Sequence, residues 1–199
     1  DGNWWSQNYK EARRFLYGTK ETPPDFENAR KLLAEEAEQG NGLAMYDLGK
    51  MYLDGLDCDA DEIVAQEWFG KALNAFHKRE CTDQRKDYWQ YRIGKMHSLG
   101  HGTDQDYEVS AQWFAKATQE DNPYSQYALG GQYQRGQGVE QSYEQAAALY
   151  TQAAENTSRP NAYAQYQLGN LYKEADRCCR TRNEGQPRYC FQTVRSSGT

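Results

Sequence analysis

Apolar residues recur along this chain at the spacing of an amphipathic helix, and one arrangement returns four times. The shared frame is Tyr, one residue, Leu or Ile, Gly, two residues and an aromatic side chain, with His97 in the aromatic position once. The four glycines are Gly49, Gly94, Gly130 and Gly169, so the intervals are 45, 36 and 39 residues. Periods of this length are typical of stacked supersecondary units, in which each repeat packs only on its neighbours.

A second helical segment is predicted after each of the first three motifs. Twelve residues after the motif glycine stand Asp61, Asp106 and Ser142. Asp and Ser oxygens accept the unpaired backbone N–H groups of a first helical turn, so these residues are predicted N-caps. Glycine-bearing turns, such as Gly100-His101-Gly102, separate each motif from the segment that follows it.

Small and bulky residues alternate on the second segments at a spacing of three to four, which indicates helices. Ala65, Ser110 and Ala146 are the small residues, and aromatic or aliphatic residues follow each of them. A glycine inside a helix costs about 1 kcal/mol relative to alanine. We therefore expect the motif glycines to be retained because they allow two helices to approach closely. Each repeat is then an antiparallel helix pair, and the pairs stack.

The third repeat carries the clearest family pattern. Its residues are Asp106-Tyr107-Glu108, Trp113-Phe114-Ala115-Lys116-Ala117, Asn122, Gln126-Tyr127-Ala128-Leu129-Gly130, Tyr133, Gly136 and Gly138-Val139. This pattern resembles the Sel1-like repeat of the tetratricopeptide-like family, and the resemblance covers roughly Phe26 to Tyr172. It implies an all-α fold, a right-handed α-solenoid of stacked antiparallel helix pairs. It also implies a protein–protein adaptor rather than an enzyme.

The repeat pattern is regular only in the middle of the chain. Residues 1–24 are predicted to be a degenerate partial repeat or an N-terminal cap, and residues 25–175 the repeat array. An insertion near 75–87 must lengthen a helix or a loop. Residues 176–199 lose the pattern and form a divergent basic tail, for which a cap, a disordered extension and a sequence artefact stay open as interpretations.

Charge limits the classes of partner. The net charge is −6, and residues 177–199 carry five Arg and one Glu, so the rest of the chain carries −10. Nucleic-acid binding needs clustered Lys and Arg, so contact with nucleic acid is expected only through this tail. A weaker resemblance to segments associated with bacterial mobilisation relaxases supplies an alternative function, an accessory region of a DNA-mobilisation protein.

Cysteine usage and hydropathy bear on the compartment. The five cysteines are irregularly spaced, which suits a reducing cytoplasm better than a disulfide framework, although a removed signal peptide would leave no trace here. No apolar run approaches the ~20 residues that span a bilayer, so no membrane association is predicted.

Candidate chemistry is sparse. His97 and His101 are four residues apart but lack further ligands, and the paired Cys178 and Cys179 lack metal-type spacing. The glycine turns lack the Lys-Ser/Thr of a phosphate loop. We therefore predict no catalytic residue, no metal site and no cofactor.

The predicted function is a scaffold that binds a protein or peptide in a superhelical groove. The resemblance implies that the first helix of each repeat lines this groove. On that helix the motif Tyr, Leu or Ile, Gly and second aromatic residue are predicted to form the buried stripe. Positions two before, one after and five after each motif glycine share a different face. The predicted groove residues are Asp47, Lys50, Arg92, Lys95, Gly131, Arg135 and Asn170. A basic centre of Arg92, Lys95 and Arg135 would suit an acidic or C-terminal carboxylate-bearing peptide.

Overall fold

The structure is a computed structural model that describes residues 5–157 and 159–180, without the side chains of 174–180. Within this part the chain forms helices and no strand, so the all-α prediction is confirmed. The helices are α1 Gln7–Tyr17, α2 Phe26–Glu38, α3 Gly42–Asp54, α4 Glu62–Thr82, α5 Lys86–Leu99, α6 Tyr107–Gln119, α7 Pro123–Arg135, α8 Tyr143–Glu155 and α9 Ala162–Arg180.

The described residues form two compact units. The first consists of residues 5–85 and 95–105, and the second of residues 86–94 and 106–180 except residue 158. Helix α5 therefore supplies its first part to the second unit and its last turn to the first. The first helices of the repeats, α3, α5, α7 and α9, carry the glycine motif.

Side-chain caps begin the helices of both classes. The predicted N-caps Asp61, Asp106 and Ser142 each accept a backbone N–H three residues on, which confirms them. The first helices use a different cap, which the sequence analysis did not predict: Asn41 and Asn122 precede α3 and α7, and each accepts two N–H groups. The two cap chemistries mark where each half of a repeat begins.

Three motif glycines lie against an aromatic ring of the following helix. A Cβ added at Gly49 would lie 2.6 Å from the Phe69 ring, and one at Gly130 would lie 2.9 Å from the Tyr150 ring. Gly94 has the same relation to Phe114, at 2.8 Å. In all three repeats the ring belongs to the twentieth residue after the glycine. The predicted role of these glycines in close helix packing is confirmed.

Gly169 departs from this pattern. It is exposed, and a Cβ added to it would meet no atom within 4 Å. The residue twenty positions on, Tyr189, lies outside the described residues. Close packing is therefore shown for Gly49, Gly94 and Gly130, whereas the ring expected opposite Gly169 lies outside the described residues.

The second glycine of each glycine-bearing turn contacts backbone rather than side chains. A Cβ at Gly102 would overlap the backbone of Phe69 and Gly70 on α4, and a Cβ at Gly138 would overlap the backbone of Tyr107 at the start of α6. Both glycines have positive φ, at 73° and 70°. Any other residue would be excluded twice, by backbone conformation and by space.

The insertion near 75–87 lengthens a helix. Helix α4 has 21 residues, whereas α6 and α8 have 13 each. Its added turns begin inside the core: Phe76 is fully buried and its ring lies 3.1 Å from a Cβ built at Gly42. From Lys78 onward α4 is largely exposed, and a short connection after Thr82 leads to α5.

No helix among the described residues combines the length and apolarity needed to cross a membrane.

The glycine contact yields a paired prediction. Gly130→Leu places a branched side chain against the buried Tyr150 ring, so we expect the free energy of unfolding to fall by about 1–3 kcal/mol or more. Gly169→Leu is the matched control, and because its surroundings are open, its unfolding free energy should stay within about 1 kcal/mol of the parent. Urea denaturation followed by circular dichroism measures both. Equal stability of the two variants would show that Gly130 does not pack.

The exposed end of α4 predicts a cleavage site. Lys78, Arg79 and the following connection are exposed or half-buried and carry mixed charge, so local opening should be easiest there. Limited trypsin digestion, with fragment masses read early, should show the first cut internal to the repeats between residues 75 and 87. A first internal cut within α6, α7 or α8 would contradict this expectation.

Candidate interaction surface

Tyrosine occupies two positions on each first helix of the second unit. The residues three and six before the motif glycine are tyrosines on α5, α7 and α9. A spacing of three places both side chains on one helix face. These tyrosines are Tyr88 and Tyr91 on α5, Tyr124 and Tyr127 on α7, and Tyr163 and Tyr166 on α9.

Rings from neighbouring first helices contact one another. The Tyr91 and Tyr124 ring centroids are 5.9 Å apart, and those of Tyr127 and Tyr163 are 6.4 Å apart, both pairs tilted rather than stacked. We call Tyr91, Tyr124, Tyr127 and Tyr163 the tyrosine row. The row links α5 to α7 and α7 to α9 through side chains of the same chemistry.

Two tyrosines of the row contact rings of the core, and the other two are largely exposed to solvent. Tyr91 contacts Phe114, and Tyr127 contacts Tyr150, in each case the ring that packs on a motif glycine. Tyr124 and Tyr163 keep 49% and 74% of their surface exposed. The core therefore fixes two of the four tyrosines, while the other two expose their rings to solvent.

Burial keeps the phenols of this region protonated. It raises the pKa of Tyr91, against which the nearby Arg92 cation acts weakly. Burial likewise raises the pKa of Tyr150 to about 12, with Tyr127 adding to the shift and Arg135 opposing it. The Tyr150 hydroxyl donates to Gln134 Oε1 at 2.9 Å. The Tyr150 hydroxyl hydrogen is therefore already engaged within the protein.

The charges beside the row are positive. Arg92 follows Tyr91 on α5, and Arg135 ends α7, where it is exposed and its Nε donates to Gln137 Oε1 at 2.6 Å. A Cβ added at Gly131 would lie 3.2 Å from the Arg135 guanidinium nitrogens. Gly131 thus lets this arginine fold back along α7, which contains no acidic residue.

The nearest carboxylates are already paired. Asp87 Oδ2 accepts from Asn122 Nδ2 at 2.9 Å and lies 3.6 Å from an Arg159 nitrogen. Asp121 accepts from Asn156 and from Gln126, each at 3.0 Å. Asp87 and Asp121 therefore both have partners within the second unit.

The predicted groove residues divide between the units. Arg92, Gly131, Arg135 and Asn170 belong to the second unit, where Arg92 and Arg135 lie beside rings of the row or rings that support it. Asn170 is half-buried on α9. The structure thus places four of the seven in the unit that carries the tyrosine row.

The other three predicted residues belong to the first unit. Asp47 is only 5% exposed and accepts a hydrogen bond from the buried Tyr9 hydroxyl at 2.7 Å, so it has a structural partner. Lys50 is half-buried and Lys95 exposed, and both lower the pKa of His101, so both lysines lie near that ring.

His101 is a packing residue in the first unit. Its ring stacks on Phe69 with centroids 4.1 Å apart and an interplanar angle of 2°, and its Nδ1 lies 3.3 Å from the Tyr46 hydroxyl oxygen. Gln66 holds the same turn by donating to the Gly100 carbonyl and accepting from the Gly102 N–H. Burial lowers the pKa of His101, Lys95 and Lys50 lower it further, and Asp54 opposes them.

The sequence analysis missed the tyrosine row. It assigned the motif tyrosines to the buried stripe, which holds for Tyr46 but is wrong for Tyr166, 67% exposed. The sequence does contain a signal for the row: a second tyrosine stands six residues before the glycine, at a position that the repeat motif does not require to be tyrosine. In the first repeat that position is Leu43, which is buried.

Comparison with known proteins agrees with this architecture. The family model described as the Sel1 repeat matches residues 6–41, 42–75, 90–122, 123–158 and 162–185. The crystal structure of a Sel1 repeat protein from Oxalobacter formigenes is 27% identical with a TM-score of 0.53, covering 82% of this chain and 44% of that one.

Two further solved structures are similar to this chain at lower identity and lower TM-score. A protective antigen of uropathogenic Escherichia coli strains, displaying an SLR fold, is 24% identical with a TM-score of 0.47, over 84% of this chain and 41% of that one. Helicobacter pylori cysteine rich protein B is 17% identical with a TM-score of 0.43, over 76% and 99%. The chain spans less than half the length of the first two structures. Comparison with curated proteins gave no match.

The weaker resemblance to relaxase-associated segments has no support from the family match or from the Oxalobacter formigenes structure. Most of the basic tail at 177–199, to which possible nucleic-acid contact was assigned, lies outside the described residues.

The lowered pKa of His101 predicts a pH-dependent stability. Because the folded state disfavours the imidazolium, this stability is present above the ordinary pKa of 6.5 and is lost as the pH falls through the lowered folded pKa. We expect the free energy of unfolding to fall between about pH 8 and pH 5. The fall should be smaller in His101→Gln, measured by urea denaturation at each pH. Identical pH dependence in both proteins would contradict the prediction.

Proposed function

The chain belongs to the Sel1 repeat family, and we propose that it is a non-enzymatic scaffold that binds a peptide or protein partner through the first helices of its second unit. Sel1-like repeat proteins generally mediate protein–protein interactions. The proposal extends this family property to one surface of this chain.

The tyrosine row is the observation that carries the proposal. Tyr124 and Tyr163 expose large rings to solvent. Arg92 lies near Tyr91 of the row, and Arg135 lies near Tyr150, the ring that supports Tyr127. Tyrosine and arginine are the residues most enriched among the energetic hot spots of interfaces, because they combine large contact area with hydrogen bonding. Anchoring of Tyr91 and Tyr127 by the core supports binding, since little side-chain freedom is then lost.

We propose that the partner carries acidic residues or a free C-terminal carboxylate. A guanidinium binds carboxylate through two parallel hydrogen bonds, which favours arginine for this recognition. Arg92 and Arg135 would supply the positive charge, with Gly131 and Asn170 shaping the same surface. Lys50 and Lys95 add positive charge near His101 in the first unit, where the carboxylate of Asp54 opposes them.

The proposed role involves no cofactor, and the proposed compartment is the cytoplasm. Among the described residues, Cys58 and Cys81 are free thiols. Free thiols are typical of a reducing compartment. The compartment proposal rests on the irregular spacing of the cysteines.

The test reverses charge beside the tyrosine row. An array of peptides with internal acidic residues or free C-terminal carboxylates is probed with the parent protein and with the double variant Arg92→Glu, Arg135→Glu. We expect acidic peptides to dominate the binding, and the double variant to lose about tenfold or more in affinity. Lys78→Glu with Arg79→Glu is the matched control, because it makes the same charge change at the exposed end of α4.

Circular dichroism confirms that both double variants are folded. Undiminished binding of acidic peptides by the folded Arg92→Glu, Arg135→Glu protein would overturn the proposal.

A further inference from the structure

We propose that α9 carries a further docking surface, which binds an amphipathic helix of another protein through a phenylalanine ring. The surface consists of the motif residues Tyr166, Gly169 and Tyr172, which we call the α9 stripe. None of them belongs to the tyrosine row, and the helix they bind is a second partner, beyond the proposed function.

The same motif positions are covered by a second helix in the other three repeats. Each of those repeats places an aromatic ring against the motif glycine, and the same ring contacts the motif tyrosine three residues before that glycine. The ring centroids are 5.3 Å apart for Tyr46 and Phe69, 5.9 Å for Tyr91 and Phe114, and 5.7 Å for Tyr127 and Tyr150. An aromatic ring on a neighbouring helix is therefore the complement of this motif.

Helix α9 repeats the motif of α7, but no described helix covers it. The same residue types stand on α7 as Tyr127, Gly130 and Tyr133. There the glycine is buried and both tyrosines are half-buried, against the cluster that contains Ala146 and Tyr150 of α8. In the α9 stripe the two tyrosines are 67% and 50% exposed, and a Cβ built at the glycine meets no described atom within 4 Å. The stripe is thus one half of an interface whose other half the described residues do not supply.

The end of α9 differs from the ends of the other first helices. Helices α3, α5 and α7 each end five residues after the motif glycine, and a glycine in the left-handed conformation follows. Helix α9 has Ala175 at the position of that glycine and continues to Arg180. Later in the sequence, Pro187 stands where α8 has Ala148, and proline disfavours a helix because it lacks the backbone N–H. These features favour an occupant from another protein over a second helix of this chain.

The chemistry of the partner helix follows from the helices that cover the other motifs. Each has a fully buried small residue four positions before its ring, namely Ala65, Ser110 and Ala146. Of the three rings only Tyr150 carries a hydroxyl, and this hydroxyl donates to Gln134, four residues after the motif glycine. The corresponding residue of α9 is Lys173, whose side chain has no acceptor. We therefore expect the partner helix to carry phenylalanine four residues after a small residue.

The first experiment uses a stapled peptide with the sequence of residues 142–156 and the substitution Tyr150→Phe. The staple joins positions 148 and 152, which are exposed on α8, because isolated helices of this length are marginal in water. The fluorescein-labelled peptide is titrated with the intact chain, and anisotropy is measured. We expect it to bind about tenfold or more tightly than the Tyr150→Ala peptide, and at least as tightly as the unsubstituted one. Equal affinity of the phenylalanine and alanine peptides, tighter binding of the tyrosine peptide, or no binding would overturn the inference.

The second experiment locates the site on the protein. Gly169→Leu fills the space that the ring would occupy, so we expect the affinity for the Tyr150→Phe peptide to fall about tenfold or more. Ala148→Leu adds the same side chain at an exposed position of α8, so it is the matched control and should bind like the parent. Circular dichroism verifies that both variants are folded. Parent-like affinity in the folded Gly169→Leu protein would overturn the inference.

Three further outcomes would each assign the peptide or the stripe differently and overturn the inference. A tenfold rise in affinity in Tyr189→Ala, where we expect no change, would show that the chain's own C-terminal residues cover the stripe. A dimer of the intact chain that Gly169→Leu abolishes, seen by sedimentation, would show that a second copy does. Loss of peptide binding in Arg92→Glu with Arg135→Glu, but not in Gly169→Leu, would place the peptide beside the tyrosine row and leave the proposed function standing.

Discussion

Close contact between a motif glycine and an aromatic ring is the constraint on which the rest of each repeat depends. At Gly49, Gly94 and Gly130 the missing side chain leaves room for the ring twenty residues later. The ring in turn supports the motif tyrosine on its other side, as Phe114 does for Tyr91 and Tyr150 for Tyr127. A side chain at the glycine would therefore move the ring, and moving the ring would move the tyrosine.

This chain of contacts joins stability to recognition. The two half-buried tyrosines of the row, Tyr91 and Tyr127, contact the core rings Phe114 and Tyr150. Tyr124 and Tyr163 are more exposed and contact their neighbours in the row. A binding surface of this kind combines tyrosine rings that are fixed by the core with exposed tyrosine rings that can adjust to a partner. Rigid aromatic anchors surrounded by adaptable contacts are a common arrangement in protein interfaces.

Much of the fold could be predicted from the sequence because its signals are local. The N-caps Asp61, Asp106 and Ser142 act within one turn, and the motif period reports contacts that repeat between neighbours. The site was harder to predict, because a helical tyrosine can face a core or solvent with the same spacing. Asp47 shows the converse: its position in the repeat indicated an outward face, but it is buried, and its carboxylate accepts a hydrogen bond from the Tyr9 hydroxyl, 38 residues earlier in the chain. Such pairings depend on which helix lies opposite, and the periodicity of one helix does not contain that information.

The turn glycines show how these repeats accommodate extra length. Gly138 contacts α6 at Tyr107, thirteen residues after the motif glycine Gly94, whereas Gly102 contacts α4 at Phe69, twenty residues after Gly49. The difference of seven residues is about two turns of a 3.6-residue helix, so the turn meets the same side of the longer helix. The second helix can therefore lengthen only by about a whole number of turns if the turn glycine is to contact the same face of that helix. An insertion or deletion of two residues in α4 would rotate the docking face by about 200°, and it would be a graver change than one of seven residues, which rotates it by only about 20°.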